Sequence, residues 1–407
     1  MSECRFCHAP LTRSFVDLGV QPLANSYVPA NRVGQPEPTS PLHVHVCESC
    51  LLVQVDHEVP AEAIFSDYAY FSSYATSWVE HARRYAEAMT QRFSLTDASL
   101  VVEVASNDGY LLQHFKSVGI GVLGVEPAAN VAAVAAQKGI PSEVAFFNRE
   151  TASRLRDAGR MADLMAANNV MAHVPELNDF IGGFAILLKP QGVLTVEFPH
   201  LLNLIEQVQF DTIYHEHYSY LSLLVAEKIF AAHGMRVFDV EELPTHGGSL
   251  RLFVCHKSAV HEEAPALSVL RDKERAARLD TLAAYDNFAP KVVEIRRQLL
   301  AFLADAKAAG RSVCAYGAAA KGNTLLNYCG VTAADIVTVY DKNPHKQGAY
   351  LPGSKIPILS PERIAADRPD YLLILPWNLR AEIAAEQSCI QTWGGQFVTA
   401  IPKLQVF

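Results

Sequence analysis

Five consecutive residues, Tyr214-His215-Glu216-His217-Tyr218, form the densest titratable group in the chain. Imidazole changes charge near neutral pH, so this segment can supply a general base. A carboxylate between the two histidines can orient an imidazole, and the flanking phenols can hydrogen-bond a developing oxyanion. The spacing does not favour a metal. On a strand, His215 and His217 would face one side and Glu216 the other, and the pattern is not His-Glu-x-x-His. The plain alternative is a solvated surface cluster. A second patch, Tyr68-Ala69-Tyr70-Phe71-Ser72-Ser73-Tyr74, could wall the same cleft or simply pack in a core.

Cys4-x-x-Cys7 and Cys47-x-x-Cys50 are two tight pairs. Each can aim two thiolates at one ion, and together they make the closed four-sulfur set of structural zinc, with no open position for catalysis. His43 and His45 lie between the pairs, so one ligand could be exchanged. A redox dithiol would precede a helix in a thioredoxin-like unit, and no such pattern is present. Zinc would fold a module too small to bury enough apolar surface alone. Cys255, Cys314, Cys329 and Cys389 sit mostly in apolar contexts and read as small core residues.

Leu100–Val104 is an apolar strand that runs into Ala105-Ser106-Asn107-Asp108-Gly109, and a helix is expected to open at Tyr110. A small-residue turn there lets backbone N–H groups approach a ligand at the strand's carboxyl end. The next strand, Val122–Val125, ends in Glu126-Pro127, where an acid can accept ribose hydroxyls. The turn is neither a three-glycine dinucleotide fingerprint nor a P-loop, and its acidity suits a nucleoside that carries a cation. Asn168 and His173 follow the strand Leu164–Ala167 and would share that rim. A second strand–turn–helix unit, Val313 to Thr324, contains Lys321 and Asn323; its N–H groups could cradle a phosphate, with Lys321 adding a point charge.

The elements that must position these groups alternate along the chain. Short apolar runs at Leu100–Val104, Val122–Val125, Leu164–Ala167 and Val193–Phe198 are separated by helix-like segments, which argues for a parallel sheet covered on both faces. A charged stretch from Leu267 to Gly310 has helical spacing, and a second alternation follows at Ser312–Tyr316, Ile336–Tyr340, Tyr371–Leu375 and Phe397–Ala400. Strand-like pieces Leu42–Val46 and Leu51–Val55 belong to the cysteine-rich start. The expected fold is therefore α/β in three parts: a zinc-binding module over 1–65, a Rossmann-like domain with a helical lead-in over 66–265, and linking helices with a smaller Rossmann-like domain over 266–407.

The composition fits a folded, soluble chain of 407 residues, half hydrophobic and 19% charged. The net charge of −9 and the lack of basic runs speak against nucleic acid and anionic membrane surfaces as partners. No apolar stretch reaches the roughly 18–20 residues of a membrane span, and the first residues do not form a signal peptide. The expected location is the cytoplasm.

Read in order, Cys4-x-x-Cys7, Cys47-x-x-Cys50, Tyr68-x-Tyr70-Phe-Ser-Ser-Tyr74, Glu103-Val-x-Ser-Asn107-Asp108-Gly109, Tyr214-His-Glu-His-Tyr218, Gly247-Gly-Ser-Leu-Arg251 and Tyr316-Gly-Ala-x-x-Lys321-Gly-Asn323-Thr-Leu-Leu-Asn327 resemble the zinc-containing, S-adenosylmethionine-dependent sugar C-methyltransferases. The resemblance runs over nearly the whole chain. It implies Zn2+ and S-adenosylmethionine as cofactors and a nucleoside-diphosphate keto-sugar as substrate, methylated at C-3 beside a 4-keto group. It also implies that His217 is the base, with Glu216, Tyr214, His173 and Tyr68 around the sugar. Cofactor contacts would fall on Glu103, Asn107, Asp108, Gly109, Glu126, Pro127 and Asn168. Tyr70, Tyr74, Lys321 and Asn323 are candidate substrate contacts, and the chain is expected to act as a monomer. Two other classes compete: a non-catalytic nucleotide-sugar binding or assembly protein, and a nucleotide-sugar dehydrogenase or epimerase. The latter needs a dinucleotide fingerprint and a Tyr-x-x-x-Lys-type pair, which residues 100–126 lack.

Overall fold

The structure, a computed structural model, describes residues 2–56, 59–60, 72–74 and 76–407. The cysteine-rich start folds around strands β1 (Arg13–Pro22), β2 (Val28–Pro29), β3 (Thr39–Val46) and β4 (Val53–Val55). β1 was not anticipated. Register shifts between Ser14 and Val16 and between Asp17 and Val20 break its alternation, so the period-2 signal is lost. The second expected strand starts only at Val53, because Cys47 to Leu52 are consumed by a tight turn.

Helix α1 (Thr76–Arg92) leads into the central unit. There, β5 (Leu100–Val104), α2 (Leu112–Ser117), β6 (Gly121–Val125), α3 (Ala129–Gln137), β7 (Ser142–Glu143), α4 (Arg149–Asp157), β8 (Ala162–Asn168), α5 (Leu177–Leu187) and β9 (Leu188–Pro199) alternate. Short α6 (Leu201–Glu206) and β10 (Ser219–Tyr220) precede α7 (Leu223–Ala232), β11 (Met235–Leu243) and β12 (Ser249–His256). The sheet order is β11-β12-β9-β8-β5-β6-β7, with β5 to β9 parallel and β12 antiparallel to both neighbours. The strand order reverses direction between β5 and β8, which opens a crevice at their carboxyl ends. Val101, Val102, Leu164 and Met165 are fully buried, as parallel strands covered on both faces require.

Two helices, α8 (Pro265–Ala276) and α9 (Phe288–Ala308), fill the charged stretch. The last unit holds β13 (Val313–Tyr316), α10 (Ala320–Cys329), β14 (Val339–Tyr340), β15 (Ala349–Tyr350), β16 (Ile358–Leu359), β17 (Tyr371–Ile374), β18 (Gln396–Thr399) and β19 (Gln405–Val406). Its sheet order is β16-β14-β13-β17-β18-β19, parallel except for the last strand.

The first module grips both others through strand pairing. β10, from the central unit, extends its sheet by pairing with β4. β2 pairs with β15 of the last unit. Phe15 of β1 stacks on Phe288 of α9 with centroids 4.4 Å apart, a contact worth about 1 kcal/mol beyond the area it buries. No described helix is long and apolar enough to cross a membrane.

Candidate active site and zinc centre

The two cysteine pairs sit on matched turns. Cys4 N donates to Ala9 O and Cys47 N to Leu52 O, while Cys4 O accepts from His8 N and Cys47 O from Leu51 N. His8 and Leu51 both take a positive φ, 60° and 72°, at equivalent points of the two turns. Each turn thus aims its two sulfurs inward. The four Sγ atoms lie within 4.8 Å of one another, and the pairs Cys4–Cys50 and Cys7–Cys47 are each 3.5 Å apart. A tetrahedral zinc thiolate has sulfur edges of about 3.8 Å, so the donor set fits the ion.

The carboxyl end of β5 forms the turn expected to meet a nucleoside. Ala105, Asn107 and Gly109 all have positive φ, which folds the chain sharply over the strand end. Glycine is favoured at position 109: its φ is +77°, and a Cβ there would lie 2.4 Å from Ile140 Cδ1, which would have to move. The expected helix begins two residues later than anticipated, at Leu112, because this turn is longer than a simple strand–helix corner. Glu126 closes the turn from β6, accepting from Asn107 N and Ala128 N, each at 2.9 Å. Its oxygens keep further lone pairs for ribose hydroxyls, and Pro127 beside it is half-buried. Burial pushes the Glu126 carboxyl up, and these two N–H donors oppose it.

Glu103 is fully enclosed inside the same sheet end. Burial and then the neighbouring Glu126 push its carboxyl well up, while the Tyr110 hydroxyl opposes. Tyr110 also reaches Asn168 at the end of β8 and Trp78 of α1. Asp108 does not stand alone as a negative charge facing a sulfonium. Lys138 Nζ bonds its carbonyl at 2.8 Å and its carboxylate at 3.2 Å, so part of the turn's acidity is already neutralised. Asn107 Oδ1 accepts from Ser72 N at 2.9 Å, tying the tyrosine-rich segment to the turn.

The five-residue cluster divides into separate tasks. His215 is buried and its Nε2 lies 3.2 Å from the carbonyls of Ser40 and Pro41, so it anchors the segment to β3. His217 remains partly accessible. Its Nδ1 lies 2.7 Å from Thr212 O; a carbonyl only accepts, so Nδ1 carries the proton and Nε2 the lone pair. The Glu216 carboxylate, expected to steady this imidazole, is turned to Asn25 Nδ2 at 2.7 Å instead. The ring of His217 packs 4.0 Å from Tyr214 and meets His173 edge-on at 4.6 Å. Burial, then the His173 charge, holds His217 well below the ordinary imidazole range. Burial likewise lowers His173 to about 4, with the Glu216 main chain opposing.

His217 and the nucleoside turn share one rim. His173 lies just past β8, the strand beside β5, and Tyr218 N donates to Ala172 O at 2.7 Å. Trp78 bridges the rest, lying 6.2 Å from the Tyr110 ring and 5.5 Å from His246. A shallow depression lined by Arg92, Phe93, Asp163 and Lys189 lies at the opposite, amino-terminal edge of the sheet, the wrong end for a ligand of such a fold.

The last unit supplies a wall. Lys321 Nζ donates to Asn378 Oδ1 at 2.8 Å and stands 4.9 Å over the Trp377 ring. Trp377 Nε1 donates to Asp211 Oδ2 at 2.8 Å. Burial raises Asp211 to about 6, against the pull of Lys321 and Trp377. Two expectations change here. Asn323 is buried in the seam between units, donating to Ala24 O at 2.6 Å, and so is not open to substrate. The turn after β13 offers less of a phosphate cradle than its sequence suggested, because Ala318 N is taken by Asp341 Oδ2 at 2.7 Å. Tyr68 and Tyr70 lie outside the described residues, as does the side chain of Tyr74. Asn25, Asp211, His246, Trp78 and Trp377 were missed. The Thr245–Gly248 turn carried a signal, since His246 precedes two glycines and itself has φ +55°.

Three family profiles match this chain end to end: a zinc binding domain over residues 4–65, a methyltransferase domain over 78–240 and a C-methyltransferase C-terminal domain over 244–402. C-methyltransferase NovU of Streptomyces niveus is 36% identical over 406 residues, covering 100% of this chain and 97% of that one. The chain belongs to the C-methyltransferase family. It is an S-adenosylmethionine-dependent C-methyltransferase with a zinc-binding module. Similarity to a ubiquinone biosynthesis O-methyltransferase of Rhodopseudomonas palustris is 27% over 96 residues, 24% of this chain and 38% of that one. Magnesium protoporphyrin IX methyltransferase of Synechocystis, solved with bound SAH, aligns over 44% of this chain and 83% of its own, at 16% identity and a TM-score of 0.36. The C-terminal profile begins inside the central sheet, since β12 pairs with β9.

Proposed function

We propose that this C-methyltransferase methylates C-3 of a 4-keto-deoxysugar linked to a nucleoside diphosphate, in branched-chain deoxysugar formation, with His217 Nε2 as the base. One observation carries the reading: the Nδ1–H of His217 is committed to the Thr212 carbonyl, which leaves Nε2 as the acceptor on the rim that also bears the nucleoside turn.

The 4-keto group acidifies the C-3 proton. His217 takes that proton, and the enolate that forms holds its charge on the C-4 oxygen. Carbon lacks a lone pair, so it needs this base where oxygen or nitrogen acceptors can react through positioning alone. His173 and Tyr214, both packed on the His217 ring, would lie around the enolate oxygen, with Tyr68 the remaining candidate. Bound S-adenosylmethionine supplies the electrophilic methyl; Glu126, Asn107, Asp108, Gly109, Glu103 and Asn168 hold it. Lys321 faces the diphosphate side, with Tyr70 and Tyr74 as further sugar contacts.

The test is a panel of 4-keto nucleotide-sugars with S-adenosylmethionine, read by mass spectrometry for a gain of one methyl and by NMR for its position. A second arm follows loss of the C-3 proton into deuterated water. Methylation at C-3 with exchange that disappears in His217→Asn supports the proposal. Methyl transfer to oxygen, or exchange that survives the substitution, overturns it.

A further inference from the structure

Apart from the four cysteines, the zinc-binding module holds a second convergence of metal donors. His43 and His45 are two apart on β3 and so share one face of the strand. Asp56 follows β4, which pairs antiparallel with β3 through Val44–Val55 and His45–Gln54. Asp56 N donates to His43 O at 2.8 Å, setting the carboxylate opposite the two rings. One donor atom from each of the three side chains lies within 4.8 Å of the other two, and the imidazole centroids are 4.0 Å apart.

We propose that His43, His45 and Asp56 form a second divalent-cation site, separate from the four-thiolate centre.

Three features point to a cation. His45 Nδ1 and Asp56 Oδ1 are buried without a hydrogen-bond partner among the described residues, and a buried polar atom left unsatisfied is destabilising. A single cation between them satisfies both. The outer support of a ligating histidine is also in place: His43 Nε2 lies 2.8 Å from Ser14 Oγ, leaving Nδ1 to coordinate. Metal-bound imidazoles ordinarily place their second nitrogen on such a partner.

Two imidazoles and a carboxylate select a borderline ion such as Zn2+ over Mg2+ or Ca2+, which prefer all-oxygen shells. Three protein ligands leave a position for water or a small anion. His43 and Asp56 are only half-buried, so solvent reaches it. The bound ion would cross-link β3 to the chain leaving β4, which in sequence runs on to the tyrosine-rich segment.

The full-length protein, loaded with Zn2+ and passed through a desalting column, is assayed for metal by mass spectrometry. Two equivalents are expected in the wild type and one in His45→Gln and Asp56→Asn. Far-UV circular dichroism reports whether the variants keep their fold. Cobalt substitution of the wild type gives an answer independent of them. The second equivalent of Co2+ should add ligand-field absorption without adding to the thiolate charge-transfer band. One equivalent in the wild type, two in folded variants, or a second cobalt that raises the charge-transfer band each overturns the site.

Discussion

Asn25 Nδ2 donates to Glu216 Oε1 across 2.7 Å, joining the zinc-binding module to the residue next to the proposed base. Glu216 is buried while Asn25 is exposed, and burial pushes the Glu216 carboxyl up while Asn25 opposes it. Hydrogen bonds to charged groups contribute about 1.5–3 kcal/mol. Asn25→Ala should therefore lower kcat/KM by roughly 10- to 100-fold through misplacement of the segment, with S-adenosylmethionine affinity kept. Calorimetric titration beside steady-state kinetics separates the two quantities, and equal turnover in variant and wild type would leave Asn25 without a positioning role.

Removing the proposed base is the harsher change. His217→Asn keeps a polar group near Thr212 but has no lone pair to accept the proton. Turnover should fall by about 10²–10⁴-fold, the ordinary contribution of general-base catalysis. Single-turnover measurements with saturating cofactor read the chemical step directly. A loss confined to KM would assign His217 to binding.

The pH dependence follows from the lowered pKa of His217. The neutral imidazole is the active form, so activity is present above that pKa and lost as pH falls through it. Because burial and the His173 charge hold it below the ordinary imidazole value, the acid limb of kcat/KM should lie below about pH 6.5. An acid limb above pH 7 that persists in His217→Asn would assign the titration to another group.

A side chain at Gly109 would strain the turn after β5. Gly109→Ala adds a left-handed φ penalty of about 1–2 kcal/mol to a clash with Ile140. Affinity for S-adenosylmethionine should drop at least about tenfold, as 1.4 kcal/mol requires, and fluorescence or calorimetric titration reads it. Retained affinity would mean that the turn lies away from the cofactor.

Loss of the four-thiolate ion should reach the reaction centre. Cys47→Ser removes one of four ligands, and structural zinc contributes of order 10 kcal/mol to folding of small modules. The module carries Asn25, and its carbonyls at Ser40 and Pro41 hold His215. Activity should therefore fall at least about tenfold along with the zinc content, while the central unit keeps its helical signal. Full turnover in zinc-free protein would uncouple the module from catalysis.

Much of this architecture was readable from residue order. β5, β6, β8 and β9 are dense apolar runs with small-residue turns, and their alternation with helices leaves few arrangements. Cys-x-x-Cys pairs carry their geometry in their spacing. What escaped was pairing at a distance. β10 is two residues long and exists only because β4 lies beside it. Asn25 and Glu216 are 191 positions apart, and no local pattern joins them. The titratable cluster misled in one respect: adjacency suggested that Glu216 serves His217, whereas a main-chain carbonyl does so and the carboxylate faces the other way.

Residues 210–218 are fastened from every direction, by Asn25 on one side, Ala172 on another, and Thr324 and Trp377 on a third. Exchanging a single unit with that of a relative would thus import new cofactor or sugar preferences at the risk of loosening this fastening. Lineages that diversify such enzymes should therefore exchange whole chains, or change joints and units in concert, and laboratory shuffling should succeed best when Asn25, Ala172, Thr324 and Trp377 travel with the segment they secure.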